Sequence, residues 1–78
     1  MKVFYTKSGS QFELRTAGHI EVLTRNNEFL GVIQEKNELE VGKPGKFNFY
    51  KTDYMAEDWG DFGWLQTSRI VRIEEKNP

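Results

Sequence analysis

Apolar and polar residues alternate with a period close to two along most of this 78-residue chain, and almost nowhere with a period of 3.6. That pattern predicts strands rather than helices. Val3 to Thr6 is a short β-rich run, ended by Lys7-Ser8-Gly9-Ser10. Phe12 and Leu14 alternate with Gln11, Glu13 and Arg15, as in a half-buried strand, and Thr16-Ala17-Gly18 turns the chain. Ile20 and Val22 then alternate with His19, Glu21 and Thr24, with Leu23 out of phase. Asn26-Asn27 suits a tight hairpin turn, because asparagine tolerates positive φ. Phe29 to Ile33 is the return strand, and Gly31 inside it marks a bulge or a sharp bend.

Glu35 to Glu38 is polar and reads as a connection. Leu39 and Val41 alternate with Glu38 and Glu40, and Phe47 and Phe49 alternate with Asn48 and Tyr50. Between them, Pro44-Gly45 fits the central positions of a type II turn, which predicts a second hairpin. Residues 51–63 match neither period and form a long acidic-aromatic loop. Trp64 to Gln66 is extended, with Trp64 placed in the core, Thr67-Ser68-Arg69 makes one helical turn, and Ile70, Val71 and Ile73 close the domain. The expectation is an all-β fold: a small antiparallel barrel of five to six strands with one short helical turn before the last strand. Residues 1–73 form a single domain, and residues 74–78 a frayed tail.

Composition narrows the function classes. Eleven Lys and Arg against twelve Asp and Glu give a net charge of −1, with one His and no Cys. Without Cys there is no disulfide, thiolate metal site or cysteine nucleophile. A single His cannot build a multi-histidine metal site. Near-neutral charge argues against binding duplex nucleic acid mainly through phosphates. The chain begins without an apolar run long enough for a signal peptide, and no run approaches the ~20 residues of a membrane helix. A cytoplasmic protein with no membrane partner and no cofactor is expected.

The ending Trp64-Leu65-Gln66-Thr67-Ser68-Arg69-Ile70-Val71-Arg72-Ile73 resembles the last part of an SH3-like barrel, where an aromatic strand passes through a helical turn into a β-branched strand. It also resembles the Trp-x-x-Thr-Ser-x-Val/Ile ending of short uncharacterised phage and mobile-element proteins. The resemblance covers the C-terminal third, helped by Leu39-x-Val41-Gly42. It implies the barrel fold and a phage or mobile-element origin. The N-terminal half lacks the Ala-x-Tyr-x-Tyr stretch of peptide-binding SH3 domains, so polyproline recognition is not implied.

Little in the chain points to catalysis. His19 follows a turn and reads as a surface residue, with Glu21 two positions on as its only nearby carboxylate in that strand. Asp53, Glu57, Asp58 and Asp61 lack the spacing of a calcium loop, and no glycine-rich phosphate loop occurs. The reading is therefore a non-enzymatic protein-binding module. Its expected site is Tyr54, Asp58, Trp59, Asp61 and Phe62, aromatic anchors within an acidic fringe that selects a partner with a basic surface. The alternative is a single-stranded nucleic-acid binder using Lys46, Tyr50 and Lys51. Against it, residues 35–62 carry four lysines and seven carboxylates. A third reading is a homo-oligomer, a structural protein assembling through a strand edge.

Overall fold

The structure, a computed structural model, describes residues 1–51 and 62–76, with Phe62 described through its backbone alone. Six strands follow one another in chain order: β1 (Lys2–Thr6), β2 (Gln11–Ala17), β3 (Ile20–Arg25), β4 (Glu28–Lys36), β5 (Pro44–Tyr50) and β6 (Phe62–Glu75). Each pairs antiparallel with the next, and β6 pairs with β1, closing a barrel. The all-β barrel read from the alternation is therefore the observed fold.

Closure depends on β6, whose 14 residues serve two neighbours in turn. Phe62 to Arg69 pairs with β5, and Ile70 to Glu75 pairs with β1. The handover falls at residues 67–69, where a helical turn was expected, and the backbone stays extended. Its polar groups are taken up sideways: Lys7 N–H donates to Arg69 O at 2.8 Å, Gly42 N–H to Ile70 O at 2.8 Å, and Ile70 N–H to Lys43 O at 2.9 Å. With partners on both flanks, and β-branched residues at Thr67, Ile70 and Val71, the segment gains nothing by coiling. Register shifts at Tyr5/Thr6, Leu23/Thr24, Ile33/Glu35 and Pro44/Lys46 supply the local bends that a small barrel requires.

The turns follow from their residues. Asn26 (φ 48°) and Asn27 (φ 68°) both lie in the left-handed region, the signature of a type I′ hairpin turn. Asn26 also ties the turn to β2: its Oδ1 accepts from Gln11 N–H at 2.9 Å, and its own N–H donates to Gln11 O at 2.8 Å. The second hairpin differs from expectation. Pro44 and Gly45 open β5 instead of turning, and Gly45 has no positive φ; the turn lies at Val41-Gly42, where Gly42 has φ 95°. Leu39 and Val41 lie outside any strand, while β4 runs on to Lys36 through the residues read as a connection. Asn37 explains the shift. Its Oδ1 accepts from Lys46 N–H at 2.8 Å and its Nδ2 donates to Pro44 O at 3.1 Å, so β5 is held against the end of β4. The supposed frayed tail is paired as far as Lys76: Glu74 and Glu75 face Val3 and Lys2, and Met1 and Lys76 exchange backbone bonds of 2.9 and 2.7 Å. Residues 77–78 lie outside the described residues.

The core is Phe4, Phe12, Leu14, Leu23, Phe47, Phe49 and Ile70. Phe4 and Phe12 face one another in register and stack at 5.0 Å, and Phe4 stacks on Phe47 at 5.8 Å. Leu23, the residue out of phase in the alternation, is the fully buried residue of β3, whereas Ile20 and Val22 face outward. Inward positions thus run through Phe12, Leu14 and Leu23, and the alternate set of each strand forms the outer surface.

Candidate binding surface

Two halves of the outer surface have opposite chemistry. Across the second half of β6, β1 and β2, register sets Glu74, Val3 and Glu13 in one row. Val3 belongs to no core cluster and is nevertheless fully buried among charged neighbours. Arg15 pairs with Glu13 at 3.0 Å; Arg72 and Lys76 reach Glu74 at 3.1 and 3.9 Å; Tyr5 Oη donates to Glu74 at 3.5 Å. The Arg72 guanidinium lies 4.3 Å from the centre of the Tyr5 ring. This half is electrostatically self-satisfied.

The other half, on β3, β4, β5 and the first part of β6, carries apolar residues among uncharged polar ones and Lys46. Val22, Val32, Tyr50 and Phe62 occupy one cross-strand row. Trp64, opposite Asn48, is the diagonal neighbour of Tyr50, a separation that aromatic side chains can span. Trp64 is 69% exposed, Phe29 48% and Ile20 45%. Among the described residues, no ion pair joins side chains of this face. Exposed single apolar residues are ordinary on a protein, but aromatics and β-branched residues gathered on one sheet face are the composition of an interface.

The expectation that Trp64 is a core residue is overturned. Gly63 and Thr67 are buried while Trp64, Gln66 and Ser68 are exposed, so the indole shares its face with polar residues. The signal was present in the sequence: Gln66 and Ser68 have the parity of Trp64, and in a strand equal parity means equal face. Of the expected site, Tyr54, Asp58, Trp59 and Asp61 lie outside the described residues. Phe62 is located by its backbone pairing with Tyr50. Lys46 and Tyr50, two of the three alternative site residues, share the outward side of β5, and Lys51 is exposed just beyond it.

His19 is exposed in the Gly18-His19 turn between β2 and β3. Among the described residues, no three His, Asp or Glu side chains gather as metal ligands, and no helix is long and apolar enough to cross a membrane. Every described strand pairs with a neighbour on each side. Comparison with protein-family models, curated proteins and solved structures finds no match to this chain.

Proposed function

We propose that this chain is a non-enzymatic protein-binding module that docks through the outer face of β3–β6, with Trp64 as its principal anchor. The observation that carries the reading is the 69% exposure of Trp64 on a face shared with Val22, Val32 and Tyr50. A rigid indole gains contact area at small entropic cost, and tryptophan dominates measured interface hot spots. Asp53, Glu57, Asp58 and Asp61 fall in the connection between β5 and β6 with no basic residue among residues 52–61, which favours a partner with a basic rim. The phage or mobile-element origin that the ending resembles fits a small module of this kind acting on a cellular protein.

Trp64→Ala tests the proposal, because an outward indole can be removed without touching the core. Binding of the captured partner, measured after nuclease treatment, is expected to weaken by about 2 kcal/mol or more, roughly 30-fold, with an unchanged circular dichroism spectrum. Equal binding by wild type and variant would refute it.

One observation favours a second reading. Lys46 and Tyr50 share their face with Trp64, and with four carboxylates confined to residues 52–61 of a chain of net charge −1, the remaining residues carry +3. Bases stacked on Tyr50 and Trp64, with phosphates met by Lys46 and Lys51, would constitute a single-strand nucleic-acid surface. Capture abolished by nuclease selects this reading over the first.

A further inference from the structure

At the handover point of β6, three segments meet: residues 6–10, 42–46 and 66–70. Together they contain Lys7, Lys43, Lys46 and Arg69 and no carboxylate. Lys43 is already engaged by Glu40 at 2.8 Å. Lys7 and Arg69 are neighbours, joined by the Lys7 N–H to Arg69 O bond of 2.8 Å. Both are exposed, next in sequence to the buried Thr6 and Ile70. Among the described residues, neither pairs with a carboxylate.

Next to these two residues in sequence, the hydroxyls of Thr6, Ser8 and Ser68 form a chain. Ser8 N–H donates to Ser68 Oγ at 3.1 Å, Ser68 Oγ donates to Ser8 Oγ at 3.0 Å, and Thr6 Oγ1 lies 3.0 Å from Ser8 Oγ. With Thr6 as donor, Ser8 Oγ accepts on both lone pairs and its own hydrogen is free to point at solvent. A hydroxyl polarised by two incoming hydrogen bonds is a stronger donor than an isolated one. The turn that presents it is fixed by Gly9, at φ 90°, whose N–H donates to Thr6 O at 2.9 Å.

We propose that Lys7, Ser8 and Arg69 form a binding site for a phosphate group. Two adjacent cations match a dianion, the guanidinium fork suits two oxygens of one phosphate, and the Ser8 hydroxyl serves a third. This site does not rest on the function proposed for the Trp64 face.

The test is a titration of the full chain with inorganic phosphate, followed by amide chemical shifts at constant ionic strength set with chloride. Saturable shifts are expected at Lys7, Ser8, Gly9, Ser68 and Arg69. Lys7→Gln and Arg69→Gln should each weaken binding at least about tenfold while shifts elsewhere keep the folded pattern, and Trp64→Ala should bind as wild type does. A second arm uses O-phosphoserine: tighter binding than inorganic phosphate identifies an ester as the source of the group, and equal or weaker binding identifies the free anion. Shifts reproduced by chloride alone, or glutamine variants that bind as the wild type does, would overturn the assignment.

Discussion

The Phe49 ring occupies space that two glycines leave open on the strands either side of it. Gly63 of β6 pairs directly with Phe49, and Gly31 of β4 lies diagonal to it, two residues before Ile33, the register partner of Phe49. Neither glycine has a positive φ, so steric room and not backbone conformation is what each supplies. A methyl group at Gly31 would collide with the Tyr50 carbonyl oxygen, and would also meet Phe49 Cδ2 at 2.5 Å and Tyr50 C at 3.0 Å. The three atoms nearest a methyl at Gly63 all belong to the Phe49 ring: it would collide with Cε2 and reach Cζ at 2.7 Å and Cδ2 at 2.8 Å.

Overpacking in cores costs about 1–3 kcal/mol. A clash with backbone forces two paired strands apart, which puts Gly31→Ala at the upper end, about 3 kcal/mol, after the gain of about 0.4–1 kcal/mol from a stiffer unfolded chain. Domains of this size have total stabilities of about 4–12 kcal/mol. The melting temperature should accordingly fall by roughly 12–24 °C. Gly63→Ala should cost less, about 2 kcal/mol, because the nearest atoms it strikes belong to a side chain and not to backbone.

Urea unfolding followed by circular dichroism measures both variants, and Phe49→Leu separates the two mechanisms. Combined with Gly63→Ala, it removes the atoms being struck, and a favourable coupling of about 1 kcal/mol or more is expected. Combined with Gly31→Ala, it leaves the Tyr50 carbonyl in place, and the coupling should be smaller. A Gly31→Ala cost below about 0.5 kcal/mol, or equal rescue of both glycine variants by Phe49→Leu, would refute the reasoning.

Other substitutions test other parts of the fold. The Thr24 hydroxyl is buried with no hydrogen-bond partner among the described residues, so Thr24→Val should raise stability by about 1 kcal/mol in the same assay; a loss would show that the hydroxyl is satisfied. Thr67 Oγ1 accepts from the buried Gly45 N–H at 2.8 Å and donates to Ser68 O at 2.6 Å. Thr67→Val keeps the shape but strands that N–H, and should cost about 1–3 kcal/mol, with hydrogen exchange at Gly45 speeding up. The Glu40 carboxylate beside it holds the exposed Lys43 ammonium above its ordinary pKa of 10.5. The pair's contribution to stability is therefore full below pH 10.5 and is lost as the pH climbs through the raised value. Unfolding of wild type and Glu40→Gln compared at neutral pH and above that value should show their difference shrinking.

Alternation alone was enough to read the fold class. A period of two interrupted by Gly, Asn and Ser clusters predicts short antiparallel strands, and it located β1, β2 and the Asn26-Asn27 turn, because those signals are local: parity, and tolerance of positive φ. Parity also contained the exposure of Trp64, in the polar Gln66 and Ser68 that share its face. What parity could not supply was which set of residues in β3 faces inward. Leu23 is buried and Ile20 and Val22 are outside because Leu23 faces Leu14 in register, a fact about the neighbouring strand.

Long-range pairing decided the remainder. Pro44-Gly45 has the composition of a turn, yet Asn37 reaches across to Lys46 and Pro44 and makes the pair the start of a strand. Thr67-Ser68-Arg69 could coil in isolation, but the turns at Lys7 and at Gly42-Lys43 supply the partners that keep it extended. The same meeting of distant segments brings Lys7 beside Arg69 and Ser8 beside Ser68, residues about 60 positions apart. Sequence determines which groups each residue offers. The barrel, by closing β6 onto both β5 and β1, determines which of those groups meet.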